Sequence, residues 1–208
     1  RSSYSVFETT IYGDTKKKDV SKRTLTAKDF ATMPGSGGDP IRAIENLPGM
    51  ARNSFQPQAI IEGSGPKDSR YLIDGHEVPL SFHLLGTTSV MMPEAVDRVD
   101  YLSAGYGPEY GRAIGGQIGL WSRPPRFDRY HGMAFADLFN AGVLIEGPLG
   151  KGNSFFLGAR RSYVDIILGI VARNNPNLDF TVAPNFTDET GLLDIQVTPI
   201  DRFHLLEI

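Results

Sequence analysis

The sequence predicts an α+β domain, a small mixed sheet with short helices, followed by antiparallel strands of transmembrane-barrel type that the chain does not complete. Three observations predict it. Helix signals occur only in the first half, near Asp39-Pro40 and near Pro93. From residue 131 the chain reads as strand, turn, strand, with apolar and polar residues alternating. The connections there alternate too, short turns on one side and a long loop on the other, which is the habit of membrane barrels. A water-facing sandwich gives the same pattern over so few strands.

Composition narrows the classes. Glycine (23) and proline (14) make about one residue in six of 208, which suits a turn-rich folded chain. A net charge of -3 and no basic run longer than Lys16-Lys17-Lys18 argue against a nucleic-acid partner. The absence of cysteine excludes disulfide scaffolds, cysteine-rich zinc sites and thiol catalysis. The best apolar run, Ile166 to Ala172, is far short of the about 20 residues of a membrane helix. Barrel strands need only about 9–11 alternating residues each, so this does not touch the barrel reading.

The elements follow in order. Residues 1–23 form an extended N-terminal segment and linker, in which Val6 to Tyr12 is a short β-prone patch. A lone strand of this kind docks on a neighbouring sheet edge or waits for one. Asp39 caps a helix with Pro40 in its first position, Ile41, Ile44 and Leu47 share its buried face, and Pro48-Gly49 ends it. Ala59 to Ile61 and Arg70 to Ile73 are extended runs, the second closed by the Asp74-Gly75 turn. A second helix is expected from Pro93 through Val96, leading into the strand Val99 to Leu102. A glycine-dense stretch, Gly105 to Gly119, precedes Leu120-Trp121. Residues 24–125 therefore read as one domain and 126–208 as about five strands. These strands are Met133 to Phe139, Ala141 to Glu146, Ser154 to Tyr163 and Gly191 to Val197, with a further one at the end. Tight turns are expected at 147–153 and 198–202, and a long loop at about 164–187.

Four segments in fixed order carry a resemblance. They are Leu47-Pro48-Gly49-Met50, Tyr71-Leu72-Ile73-Asp74-Gly75, Val96-Asp97-Arg98-Val99-Asp100 and Tyr106-Gly107 through Ile114-Gly115-Gly116-Gln117-Ile118. The series resembles the plug domain of TonB-dependent outer-membrane receptors, and Leu144 to Gly150 resembles the family's first barrel hairpin. The similarity runs over about residues 20–208.

The resemblance implies active transport of a scarce ligand across the outer membrane of a Gram-negative bacterium, with the N-terminus in the periplasm. It implies three partners: a TonB-type energy-transducing protein, outer-membrane lipid and an unknown extracellular ligand. The TonB box, an N-terminal segment captured as an added strand, would be Glu8, Thr9, Thr10, Ile11 and Tyr12. Ser64, Lys67, Phe82, His83 and Tyr106 are the ligand-binding candidates, though packing is the plainer reading of Phe82 and Tyr106. Two positions depart from the family pattern. Glu62 stands where many members carry arginine, and Leu102 to Gly105 holds no second arginine. An ionic latch between plug and barrel would then fall to Arg70, Arg98 or Arg112. The plug is expected to meet the lumen wall through polar, hydrogen-bonded contact, since barrel interiors are polar.

Other chemistry is not supported by the residues. His76-Glu77 and His83 lack HExxH spacing, and Pro79 interrupts any helix between them, so no metal or cofactor is expected. His131 and His204 show no evident partner, and the carboxylates are scattered. Ser64 sits in Gly-Ser-Gly without a nucleophile elbow, and no phosphate-binding glycine motif occurs. No enzyme is read. The alternatives are a surface-binding or adhesion protein on the same fold, and a soluble α/β enzyme with a β accessory domain.

Overall fold

The computed structural model describes residues 21–51, 58–65, 67–83, 86, 88–174, 184–198 and 200–208. The candidate TonB box at 8–12 lies outside the described residues. The first half is built on a five-stranded sheet in the order β1-β8-β9-β4-β5. Its strands are β1 (Lys22–Thr26), β4 (Arg70–Ile73), β5 (His76–Glu77), β8 (Val96–Leu102) and β9 (Gln117–Ser122). β4 and β9 run parallel, and the other pairings are antiparallel. Two short ribbons accompany it, β2 (Met50–Ala51) with β3 (Ile60–Ile61), and β6 (Phe82–His83) with β7 (Thr88–Ser89).

Register gives the sheet two unlike faces. Val99 pairs with Leu120 and Tyr101 with Ile118, while Tyr71 and Ile73 sit beside Ile118 and Leu120 on β4. This apolar row packs against Phe30 of α1 (Ala27–Thr32) and Ile41 and Ile44 of α2 (Pro40–Ile44). Burial holds the Tyr71 phenol well above its usual range, and its oxygen accepts the Ala59 amide hydrogen at 2.9 Å. On the other face Asp100 accepts from Thr24 Oγ1 at 2.6 Å and pairs with Lys22 at 2.9 Å.

Local chemistry explains the elements. Asp39 Oδ1 accepts the amides of Ile41 and Arg42, and Pro40 takes the first position, so α2 starts as its sequence demands. It stops at Ile44, earlier than its periodicity suggests, because Asn46 and Leu47 bond back three residues rather than four. The helix expected from Pro93 through Val96 is a single 3-10 turn, Pro93–Ala95. Val96 is already extended and pairs with Ser122, and the β-branched Val96 and Val99 fit the sheet better than a second turn.

The second half is one antiparallel sheet in chain order, β10-β11-β12-β13-β14. The strands are β10 (His131–Ala136), β11 (Asn140–Gly150), β12 (Asn153–Ser162), β13 (Thr187–Gln196) and β14 (Arg202–Glu207). Lys151 and Gly152 both have positive φ, which closes the β11–β12 hairpin in two residues. The long β12–β13 connection is not wholly irregular, as the sequence suggested: it contains α3 (Val164–Asn174). Gly169 and the β-branched residues hide this helix. Asp165 in its first turn and Arg173 in its last favour it, and Ser162 Oγ accepts the Val164 amide hydrogen.

Alternation along these strands separates two faces. Ser154, Phe156, Arg160, Thr190, Leu192 and Asp194 are buried on the side that meets the first half. Val143, Ile145, Leu157, Phe203 and Leu205 stand on the opposite side, each at least 47% exposed. The first half thus packs on the face bearing the polar residues and leaves an apolar band bare. Among the described residues no helix is long and apolar enough to cross a membrane.

Candidate functional site

The chemistry of the chain gathers where the plug meets the wall strands, in three joints around an apolar patch. The patch comes from register. Phe156, Leu192 and Leu206 form one row across β12, β13 and β14, and with Leu144 they join the plug's core cluster. Fully buried Met92 points at Gly158, where a Cβ would lie 2.6 Å from its sulfur. Only glycine leaves this socket open. The expected polar, hydrogen-bonded contact is therefore only part of the seat: four wall residues at inward positions are apolar, and they exclude water between the two halves.

The first joint sits where the chain leaves the plug. Arg123 follows β9 and is fixed by its amide to Ala95 O and by Nε to Glu94 O. Its guanidinium donates to both oxygens of Glu146 on β11, at 2.7 and 2.9 Å, and lies over the Phe156 ring. The Arg126 amide donates to the same carboxylate at 3.0 Å. The Glu146 side chain is 3% exposed, so these donors replace its water.

The second joint lies at the other end of the wall strands. Arg160 on β12 faces its register partner Asp188 on β13, with Nε donating to Oδ2 at 3.0 Å. Arg160 Nη2 also donates to the Ser89 carbonyl of the plug at 2.8 Å. His83 Nε2 meets Asp188 Oδ1 at 2.6 Å, and its ring stacks on Phe186 at 4.2 Å. In turn the Ser89 amide donates to Asp39 Oδ2, so this segment is held from both sides.

The third joint uses the Asp-Gly turn. Asp74 accepts the Ser122 amide hydrogen at 2.8 Å and its hydroxyl at 2.6 Å. That hydroxyl proton is committed to Asp74, so His204 Nε2 on β14 is the donor in the 2.9 Å contact with Ser122 Oγ. His204, without an evident partner in the sequence, has one. So does His131, whose Nε2 lies 2.9 Å from Asp128.

The ligand candidates do not form one site. Ser64 and Lys67 lie on the turn after β3, and Tyr106 lies nearby, its hydroxyl donating to Ala113 O at 2.7 Å. The two segments meet where the amides of Ile114 and Gly115 donate to Asp68 O. Phe82 is 4% exposed and packs edge-on against Tyr71, which makes it a core residue. His83 belongs to the second joint. Two of the three latch candidates find their partners within the plug. Arg70 pairs with Glu77 and reaches Gly111 O. Arg98 pairs with Asp97 and lies over Trp121. Arg112 is an exposed residue at φ 69 in the turn after Tyr110. The residues that do bridge the halves, Arg123, Glu146, Arg160, Asp188 and His204, were missed. For the four on the wall strands the one sequence signal is a charged or polar residue at an inward position of an alternating strand; Arg123, just past β9, carries none.

Residues 14–117, half of the chain, match the TonB-dependent Receptor Plug Domain family. No curated protein matches. Among solved structures, a variant of the ferric enterobactin receptor PfeA from Pseudomonas aeruginosa superposes with a TM-score of 0.58 at 20% identity, covering 88% of this chain and 31% of that one. The unliganded ferric citrate transporter FecA gives 0.57 at 16% identity, over 89% of this chain and 30% of its own. The pyoverdine receptor FpvA from Pseudomonas aeruginosa PAO1 gives 0.54 at 13% identity, over 88% and 26%. The chain thus spans less than a third of these proteins' lengths, and the likeness is one of fold: a plug beside antiparallel wall strands. On the match across half its length, this chain belongs to the TonB-dependent receptor plug domain family.

Proposed function

We propose that this chain is the plug and first wall strands of an energy-coupled importer in the outer membrane of a Gram-negative bacterium. The observation that carries the reading is the plug seated on the polar-lined face of the wall sheet, with an apolar band left bare on the other side. A bare apolar band suits lipid, and a filled polar face suits a closed lumen. The seat is closed by ionic and hydrogen-bonded joints that exchange partners at low cost once water enters. In this reading Arg123–Glu146 and Arg160–Asp188–His83 are the latch, in place of Arg70, Arg98 and Arg112.

The outer membrane holds no nucleotide to hydrolyse, so work must arrive by a mechanical link. Residues Glu8 to Tyr12 supply it as a strand added to a TonB-type partner, and 13–23 transmit the pull to β1. Ligand is met on the outer side, where Ser64, Lys67 and Tyr106 and the β12–β13 loop are the candidates.

Deleting residues 8–12 from the full-length receptor tests this. Labelled iron on enterobactin, citrate and pyoverdine, the ligands of the structurally similar receptors, supplies the first probes. The proposal requires that uptake be lost while surface binding persists. Uptake that survives the deletion refutes energy coupling through this segment. Surface binding with no uptake in either form favours the adhesion reading.

A further inference from the structure

We propose that Arg160 and Asp188 are positioning residues that carry movement of the outer β12–β13 loop to helix α2 of the plug, with Ser89 as the link. The proposal rests on the importer reading above. Its basis is a line of contacts that begins at the neck of the loop. Arg160 and Asp188 stand directly opposite one another where β12 and β13 diverge, so their ion pair closes the base of the connection that holds α3. Their side chains are 2% and 7% exposed. Phe186, the last loop residue before β13, lies under the Arg160 guanidinium and against the His83 ring.

The plug is hooked to both members of this pair. His83 binds Asp188, and the Ser89 carbonyl accepts from Arg160. Ser89 is fully buried, and its hydroxyl is spent on Met91 O. Its amide donates to Asp39 Oδ2 at 2.7 Å, while Asp39 Oδ1 caps α2 through Ile41 and Arg42. One carboxylate therefore holds the start of α2 and the segment gripped by the wall. The links that run from Asp188 through Arg160 and Ser89 to Asp39 and Ile41 are buried, so none of these can be exchanged for water without opening the next. Splaying the limbs of the loop separates Arg160 from Asp188, draws on Ser89 and loosens the α2 cap.

The test uses the full-length receptor in detergent micelles, without ligand or TonB partner. A polymer maleimide on Ile170→Cys, an exposed position of α3, loads the outer loop. Amide hydrogen exchange is read over 39–47 and, as a control, over β9. Loading should speed exchange over 39–47 by on the order of tenfold, the effect of losing one charge-assisted hydrogen bond, and leave β9 unchanged. Arg160→Gln should abolish the response, and Arg160→Lys should keep part of it. Asp39→Asn gives a second route that spares the wall: asparagine still caps α2, but its amide nitrogen cannot accept from Ser89, so the response should vanish. A response that survives either Arg160→Gln or Asp39→Asn overturns the proposal. So does loaded protein that exchanges like unloaded protein. Failure of the transport reading appears elsewhere, as uptake that survives deletion of 8–12, a deletion that should leave this exchange response intact.

Discussion

Adding one methyl group at Gly158 should loosen the plug in its seat. The Cβ of an alanine there would lie 2.6 Å from Met92 Sδ, 3.1 Å from Met92 Cε and 3.2 Å from a Phe156 ring carbon. Comfortable contact begins near 3.5 Å, so the Met92 sulfur must move by about 1 Å. Met92 is fully buried, so its displaced thioether must repack among its neighbours. Gly158 is not among the residues with positive φ, so alanine brings no backbone strain and the effect is one of packing. Overpacking of this size costs about 1–3 kcal/mol. Met92→Ala alone leaves a cavity and costs about 2–5 kcal/mol. In the double variant the new methyl occupies part of that cavity, so the two costs should fall short of their sum by about 1–2 kcal/mol. Scanning calorimetry of the plug transition in the full-length receptor measures the cycle. A neutral Gly158→Ala, or strictly additive costs, would refute the socket.

Three further outcomes follow from the same geometry. Arg123→Ala strips the buried Glu146 carboxylate of its bidentate partner and should cost about 3–5 kcal/mol, less whatever Arg126 restores; adding Glu146→Gln should recover part of the loss in urea titrations. Leu157→Arg places a charge on the bare side of β12 and should cost about 2–4 kcal/mol if that side lies at the bilayer midplane; unchanged stability in lipid would contradict the assignment of faces. Acid should fray the start of α1. The Thr26 hydroxyl and then its amide hold the Asp29 carboxyl below its ordinary value, so the stabilisation is complete above the ordinary carboxylate pKa and disappears as pH falls through the lowered one. Amide protection over 27–32, taken relative to the intrinsic exchange rate at each pH, should fall across that interval, and Asp29→Asn should remove this dependence.

Much of this fold was legible because its signals are local. Asp39-Pro40 caps a helix by its own chemistry, Asp74-Gly75 turns a chain wherever it occurs, and Leu193 to Gln196 alternates with the pleat. The α3 helix was hidden because its isoleucines and valines favour strands in isolation, while its charged ends are a weaker signal. The joints were less legible for a different reason. Arg160 and Asp188 are 28 residues apart in sequence, and His83 lies 105 from Asp188. Nothing local marks Arg160 as a wall residue or Arg70 as an internal one. Only the register of β12 on β13, and the side of the sheet on which the plug lies, puts the first into the joint and the second outside it. Phe82, a ligand candidate whose plainer reading was packing, is placed against Tyr71 by the fold.

The seating of the front half on one chosen side of the wall sheet can be read with a short bismaleimide cross-linker in intact outer membranes. The chain has no cysteine, so introduced pairs report without interference from it. Ser122→Cys should cross-link to His204→Cys, since these side chains touch at 2.9 Å. It should not cross-link to Leu205→Cys, one residue along β14 on the opposite side. Efficient linkage to position 205 and none to 204 would put the plug on the wrong side of the wall and end the account.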